Sequence, residues 1–232
     1  MTSAVKRHWP EYLMEATGLG LFMISASGFA VVLFHPTSPA AALVPLLRRA
    51  LMGMAMGLTA IARIYSPWGK QSGAHFNPAV TLVAAIRREL TPGVAAAFVV
   101  VQLVGAFAGV AVAHLMFDLP IYSLSTHLRT GVGQWLSEFV ATIGLVLAIL
   151  SCSKYRPHAV PLAVGAYIAS AYWFTASTSF ANPAVTLARA ATNTFVGIYP
   201  GNVPTFVAAQ ILAAGSAALF FRWLSKDSSF RS

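Results

Sequence analysis

Apolar residues in this chain collect into six long segments, at about 11–34, 46–66, 94–117, 133–153, 158–176 and 203–224, with short polar stretches between them. As helices, such segments match a hydrocarbon core about 30 Å thick. Two shorter apolar runs interrupt this rhythm, and both open on the same six residues, Asn77-Pro78-Ala79-Val80-Thr81-Leu82 and Asn182-Pro183-Ala184-Val185-Thr186-Leu187. Asn offers a side-chain acceptor at an N-cap and Pro suits the first helical turn, so each copy reads as a helix start. The first runs from Asn77 to about Arg88, which is roughly 18 Å and only about half a bilayer core. Paired broken segments in corresponding positions of two halves mark inverted repeats with the pathway where the broken helices meet. The pattern predicts an all-α membrane protein, with six transmembrane helices plus two re-entrant half-helices. Residues 1–232 form a single domain with internal repeats at about 11–117 and 133–224.

Composition agrees. The chain is 57% apolar and 9% charged, with a mean hydropathy of +0.71, against roughly 25% charged residues in a soluble domain. A net charge of +9 raises the question of nucleic acid, but the basic residues lie in short loops rather than on one face, so they read as topogenic charge. With a cytoplasmic N-terminus, one side collects Lys6, Arg7, Arg63, Lys70, Arg87, Arg88, Lys154, Arg156, Arg222, Lys226 and Arg231. Arg48, Arg49, Arg129 and Arg189 fall on the other. This bias follows the positive-inside rule, places both termini in the cytoplasm, and sends the second half-helix in from the face opposite the first. Cys152 stands alone, which forbids an intrachain disulfide, and Met1 to Trp9 leads into an apolar stretch too long for a cleavable signal. No motif calls for a metal or a cofactor, and no nucleophile, base and orienter stand together as an enzyme would need.

The halves echo each other further. Glu15 and Glu138 stand on the first span of each half, and Gln102 and Gln210 on the third. In this order of acid, Asn-Pro-Ala and glutamine, twice, the chain resembles the major intrinsic protein family, the aquaporins and aquaglyceroporins, over essentially its whole length. Ser72-Gly73-Ala74-His75-Phe76-Asn77-Pro78-Ala79-Val80-Thr81 closely matches that family's first signature.

The resemblance implies that Asn77, Pro78 and Ala79 meet Asn182, Pro183 and Ala184 at a central constriction. There the asparagine amides offer N–H groups to a solute, and converging helix dipoles oppose cations. Ionisable groups within a membrane span are functional candidates by default. For Glu15 and Glu138 a proton relay competes with bracing of the irregular backbone before each half-helix, and the resemblance favours bracing. His75 resembles a residue that supports the re-entrant loop.

At the selectivity filter the chain departs from the family. Where most members carry Arg after the second Asn-Pro-Ala, this chain has Val185, so the filter loses a fixed charge and a fork of donors. Arg189 lies on the same helical face about two turns on; snorkelling to the headgroups is the simpler role for it, and reaching back into the mouth the other. Counting from Gly165 places Tyr172 in the filter, whereas counting back from Asn182 places Ser170 there. On the second span either Met56 or Met52 fits. Gly53 with Gly57, and Gly105 with Gly109, let spans two and three pack closely. A filter without Arg favours a passive channel for glycerol-like polyols, neutral metalloid acids such as arsenous acid, and some water. The resemblance further implies a homotetramer in a bacterial inner membrane. The Val-for-Arg filter is also similar to a bacterial branch associated with arsenic resistance. A strict water channel and a non-conducting junction or scaffold protein are the alternatives.

Overall fold

The computed structural model describes residues 7–225, and these contain helices and loops but no strand. Of the basic residues assigned to one side of the membrane, Lys6, Lys226 and Arg231 lie outside the described residues, as do both termini. The six spans are α1 (Trp9–Phe34), α2 (Pro45–Tyr65), α5 (Pro92–Met116), α6 (Val132–Tyr155), α7 (Val160–Phe174) and α9 (Val203–Leu224). The two half-helices are α4 (Pro78–Ile86) and α8 (Pro183–Arg189), and a short α3 (Pro67–Ser72) precedes the first of them. Proline opens α2, α3, α4, α5 and α8, where its missing N–H leaves no bond unmade. The Ser66 hydroxyl caps α3 and that of Thr91 caps α5.

Four helices, α1, α5, α6 and the stretch Pro200–Leu224, are long and apolar enough to cross a membrane by themselves. The other two spans depart from that pattern for visible reasons. Helix α2 carries Arg48, Arg49 and Arg63 near its ends, and α7 has 15 residues led by a 3-10 turn at Pro157–Ala159. The half-helices are short, and the first ends before its expected bound near Arg88. Helix α4 stops at Ile86 because Arg88 turns to φ 62°, and α8 has 7 residues, about 10 Å at the helical rise.

Large apolar side chains cover the outside of the molecule, and small residues make the tightest helix contacts. Leu21, Phe29, Leu58, Val104, Leu136 and Leu212 face outward, as side chains surrounded by lipid do. Where helices touch, alanine and glycine dominate, and dispersion between close backbones replaces the hydrophobic effect as the driving force. Helix α1 packs on α5, α2 on α7, and α6 on α9. The glycine spacings of spans two and three serve different neighbours and not each other. A Cβ on Gly105 would lie 2.0 Å from the Ala16 carbonyl oxygen on α1, and one on Gly57 would lie 2.5 Å from that of Gly165 on α7. Both half-helices lie against α5 and α9, the third spans of the two halves, and touch each other. The middle of the molecule is thereby fixed from both sides.

Substituting Gly105→Ala forces α1 and α5 apart, because the atom it meets is backbone. A loss of about 1–3 kcal/mol is expected, read as a lower melting temperature in detergent. Gly133→Ala, whose Cβ meets nothing within 4 Å, is the control and should be near neutral.

Candidate pore

A half-helix that starts inside the protein leaves its first N–H groups without helical partners, in surroundings where water cannot supply them. The approach to each half-helix adds irregular backbone to that problem. Phi is positive at Gly73, Ala74 and Phe76 before α4, and at Thr178, Ser179 and Ala181 before α8. For residues other than glycine this costs about 1–3 kcal/mol each. The strain recurs at matched positions four, three and one residues before the two asparagines, so both approaches follow the same path.

One carboxylate holds each approach. Glu15, fully buried on α1, accepts from the Ser72 hydroxyl and the His75 N–H at 2.7 and 3.0 Å on one oxygen. On the other it accepts from the Phe76 N–H and Gln102 Nε2 at 2.6 and 2.7 Å. Glu138, fully buried on α6, accepts from the Phe180 N–H at 2.8 Å, the Ala181 N–H at 2.9 Å and Gln210 Nε2 at 2.7 Å. Each glutamine also donates to the threonine of its own half's motif, Gln102 to Thr81 at 3.0 Å and Gln210 to Thr186 at 2.8 Å. His75 Nδ1 sits 3.1 Å from the Thr81 hydroxyl, with its ring edge-on to Phe98.

The asparagines join the halves. Asn77 Oδ1 accepts from the Ala79 N–H at 2.9 Å, and Asn182 Oδ1 accepts from those of Ala184 and Val185 at 3.1 and 3.3 Å. Their Nδ2 groups cross over. That of Asn77 donates to the Ala181 carbonyl at 2.7 Å, and that of Asn182 donates to the Phe76 carbonyl at 2.8 Å. One amide hydrogen of each pair is therefore spent on the opposite loop, which leaves one for a solute. Pro78, Ala79, Pro183 and Ala184 are buried beneath this cross-brace.

Both asparagines line a cavity of about 1130 Å³. At one end its wall carries Arg63, Arg87, Arg88, Glu89, Lys154 and Arg222; at the other, Tyr172, Ser179, Phe180 and Arg189. Val80, Ile64, Val164 and Ile168 supply apolar wall. Of the paired filter candidates, Tyr172 and Met56 are on the wall. Ser170 points outward, exposed, with its hydroxyl on the Ala166 carbonyl at 2.8 Å. Met52 is fully buried in the apolar cluster that also holds Phe22, Tyr172 and Val185. Val185 is 1% exposed and belongs to that cluster rather than to the wall.

Arg189 corrects the snorkelling expectation. It is 2% exposed, on the cavity wall, with its guanidinium carbon 4.1 Å from the centre of the Phe180 ring. The headgroups are closed to it because loops cover its end of the molecule. Residues 118–130 cross that end without helix or strand, with Ser123 and Ser125 N–H groups on the Ala191 and Ala190 carbonyls and the Tyr199 N–H on that of His127. The charge lost at Val185 is thus present, on the next turns of the same half-helix.

Arg129 is the residue that the sequence pattern misses. It reads there as one more loop cation, yet it is 4% exposed and donates to three carbonyls, Gly197 at 2.8 Å, Ser177 at 3.2 Å and Phe195 at 2.9 Å. Its guanidinium also lies over Phe180, 4.9 Å from the ring centre. Burial, and then the charge of Arg189, push its pKa down to about 10, which leaves it protonated at neutral pH. The neighbouring His127 is held below its usual value by burial and then by Arg129.

Replacing Glu138 tests the brace. Glu138→Ala strands three donors, at about 1–3 kcal/mol for each unsatisfied group, and should abolish most monodisperse yield. Glu138→Gln keeps one acceptor oxygen and should retain part of both yield and thermal stability. Equal stability of wild type, Gln and Ala forms would mean that the approach to α8 needs no partner.

Comparison with known proteins agrees with this geometry. The model of the major intrinsic protein family matches residues 2–158. The chain is 58% identical over 156 residues to the aquaglyceroporin AqpS of Rhizobium meliloti (strain 1021), covering 67% of each chain. It is 30% identical over 173 residues to aquaporin-1 of Bos taurus, covering 71% of this chain and 64% of that one. These matches span about two thirds of the relatives' lengths. The X-ray structure of the aquaglyceroporin from Plasmodium falciparum superposes with a TM-score of 0.69 at 19% identity, over 91% of this chain and 94% of that chain. Two matched half-helix starts within an all-helical membrane fold, together with these similarities, show that the chain belongs to the major intrinsic protein family, whose members are membrane channels and not enzymes.

Proposed function

We propose that the protein is a passive channel for glycerol-sized polyols, neutral metalloid acids such as arsenous acid, and some water. The observation that carries this reading is the cavity itself. It runs past Asn77 and Asn182 with an amide hydrogen free on each, between walls that are otherwise largely apolar. A polyol presents hydroxyls on one side and carbon on the other, and such a conduit serves both. The named similarity to an aquaglyceroporin supports the same size class.

In this reading the two halves, about 11–117 and 133–224, are inverted repeats of a single channel domain. Asn77, Pro78 and Ala79 with Asn182, Pro183 and Ala184 form the central constriction, and Glu15, Glu138 and His75 support it. Tyr172 and Met56 narrow the path beyond Asn182, and Val185 sets its width from behind by backing them. The protein is a homotetramer with one pathway per protomer, in the inner membrane of a bacterium. The end bearing Arg63, Arg87 and Lys154 faces the cytoplasm, as the positive-inside rule requires.

Stopped-flow light scattering of reconstituted vesicles separates this function from strict water conduction. Wild-type protein should raise glycerol permeability well above that of protein-free vesicles. A rise in water permeability alone would make it a water channel. No flux of either would favour a scaffold. Val185→Arg should lower the ratio of glycerol to water permeability several-fold, because a side chain too long for the apolar cluster must extend into the cavity. An unchanged or higher ratio would remove position 185 from the determinants of width.

A further inference from the structure

We propose that the Arg189 end of the cavity is a binding site for a small monovalent oxyanion, a carboxylate or sulfonate, held by Arg189 and Tyr172. The first observation is an uncompensated charge. Arg189 is 2% exposed, and the ion pairs among the described residues are His8 with Glu11 and Arg87 with Glu89, so no carboxylate touches it; Glu138 acts on it from a distance and is itself engaged by loop N–H groups. Isolating a cation from water is costly. Phe180 returns only part of this cost through its cation–π contact.

The second observation is a set of unmatched donors. Nε and Nη1 of Arg189 are buried without a hydrogen-bond partner, and the Tyr172 hydroxyl, beside Thr178, shares the cavity wall with them. Buried polar groups are nearly always satisfied, so these point to a ligand. What the guanidinium lacks is an acceptor. A guanidinium has no acceptor of its own and fits two oxygens of one planar group side by side. A neutral polyol brings hydroxyl hydrogens that the guanidinium cannot accept, whereas an oxyanion is acceptor only.

Arg129 makes the place selective for charge. All of its bonds shown here go to loop carbonyls, so it is fixed, and it stands over the same Phe180 ring as Arg189. It adds positive potential without competing for the ligand. The apolar wall at Ile64, Val164 and Ile168 offers an anion no donor, so the ion rests at this end and obstructs the solutes that pass there. A rise in a small oxyanion on that side of the membrane therefore slows conduction.

Methanesulfonate is the probe, since it stays ionised at every working pH. Isothermal titration calorimetry on purified protein in detergent should show saturable binding. Arg189→Leu should abolish it, and Arg189→Lys, which keeps charge but not the fork, should weaken it about tenfold, the worth of one lost charge-assisted bond. Tyr172→Phe should weaken it several-fold with the fold untouched, which keeps the test open if the Leu form does not fold. In vesicles, external methanesulfonate should inhibit glycerol flux where isosmotic sucrose does not. Absence of saturable binding to the wild type, or equal binding by the wild-type, Lys and Phe forms, would overturn the proposal. Calorimetry needs no conduction, so that failure is distinct from failure of the channel function.

Discussion

Backbone N–H groups in a place without water govern this structure. Breaking a helix in mid-membrane exposes donors that lipid cannot satisfy, at several kcal/mol apiece, and adds loop residues forced to positive φ. Every device at the centre of the molecule answers that cost. Glu15 and Glu138 take the loop N–H groups, the asparagine oxygens take those of the first helical turns, and the asparagine amides tie each loop carbonyl to the opposite half. Both oxygens of each carboxylate accept, with four bonds on Glu15 and three on Glu138.

The pathway follows from the same arrangement. Two half-helices that meet end to end, each sandwiched between α5 and α9, leave a passage alongside their junction and not through a continuous helix. The asparagines are N-caps that line the cavity, and in the proposed function their spare amide hydrogens serve the solute as a by-product of capping. Tight glycine contacts such as Gly105 against Ala16 keep the surrounding spans close enough to hold this geometry.

Much of this was legible in the sequence because its signals are local. A repeated Asn-Pro after a loop marks a capped helix start, and apolar length marks a span, so the six spans lie within a few residues of their expected bounds. The fates of Arg189 and Arg129 were not legible. Spacing put Arg189 on the right face of α8 but says nothing about the segment 118–130, which folds over it from far along the chain. Arg129 carries no periodic signal, since it lies in that loop segment and is buried by partners 48 to 68 residues away. The choice between Tyr172 and Ser170 likewise waited for the rotation of α7, which is set by packing against α2. The resulting picture changes the filter: an aliphatic residue follows the second Asn-Pro-Ala, yet an arginine still lines that end of the cavity.

Asn182→Asp tests most directly whether the cross-braced caps form the conducting centre. It keeps an oxygen for the Ala184 and Val185 N–H groups but removes the donor to the Phe76 carbonyl and places negative charge at the junction. Water, glycerol and proton fluxes measured together in vesicles, on protein shown to be folded, should display a proton leak absent from the wild type with glycerol flux reduced. Unaltered values of all three in a well-folded variant would contradict the assignment of the pathway to this junction.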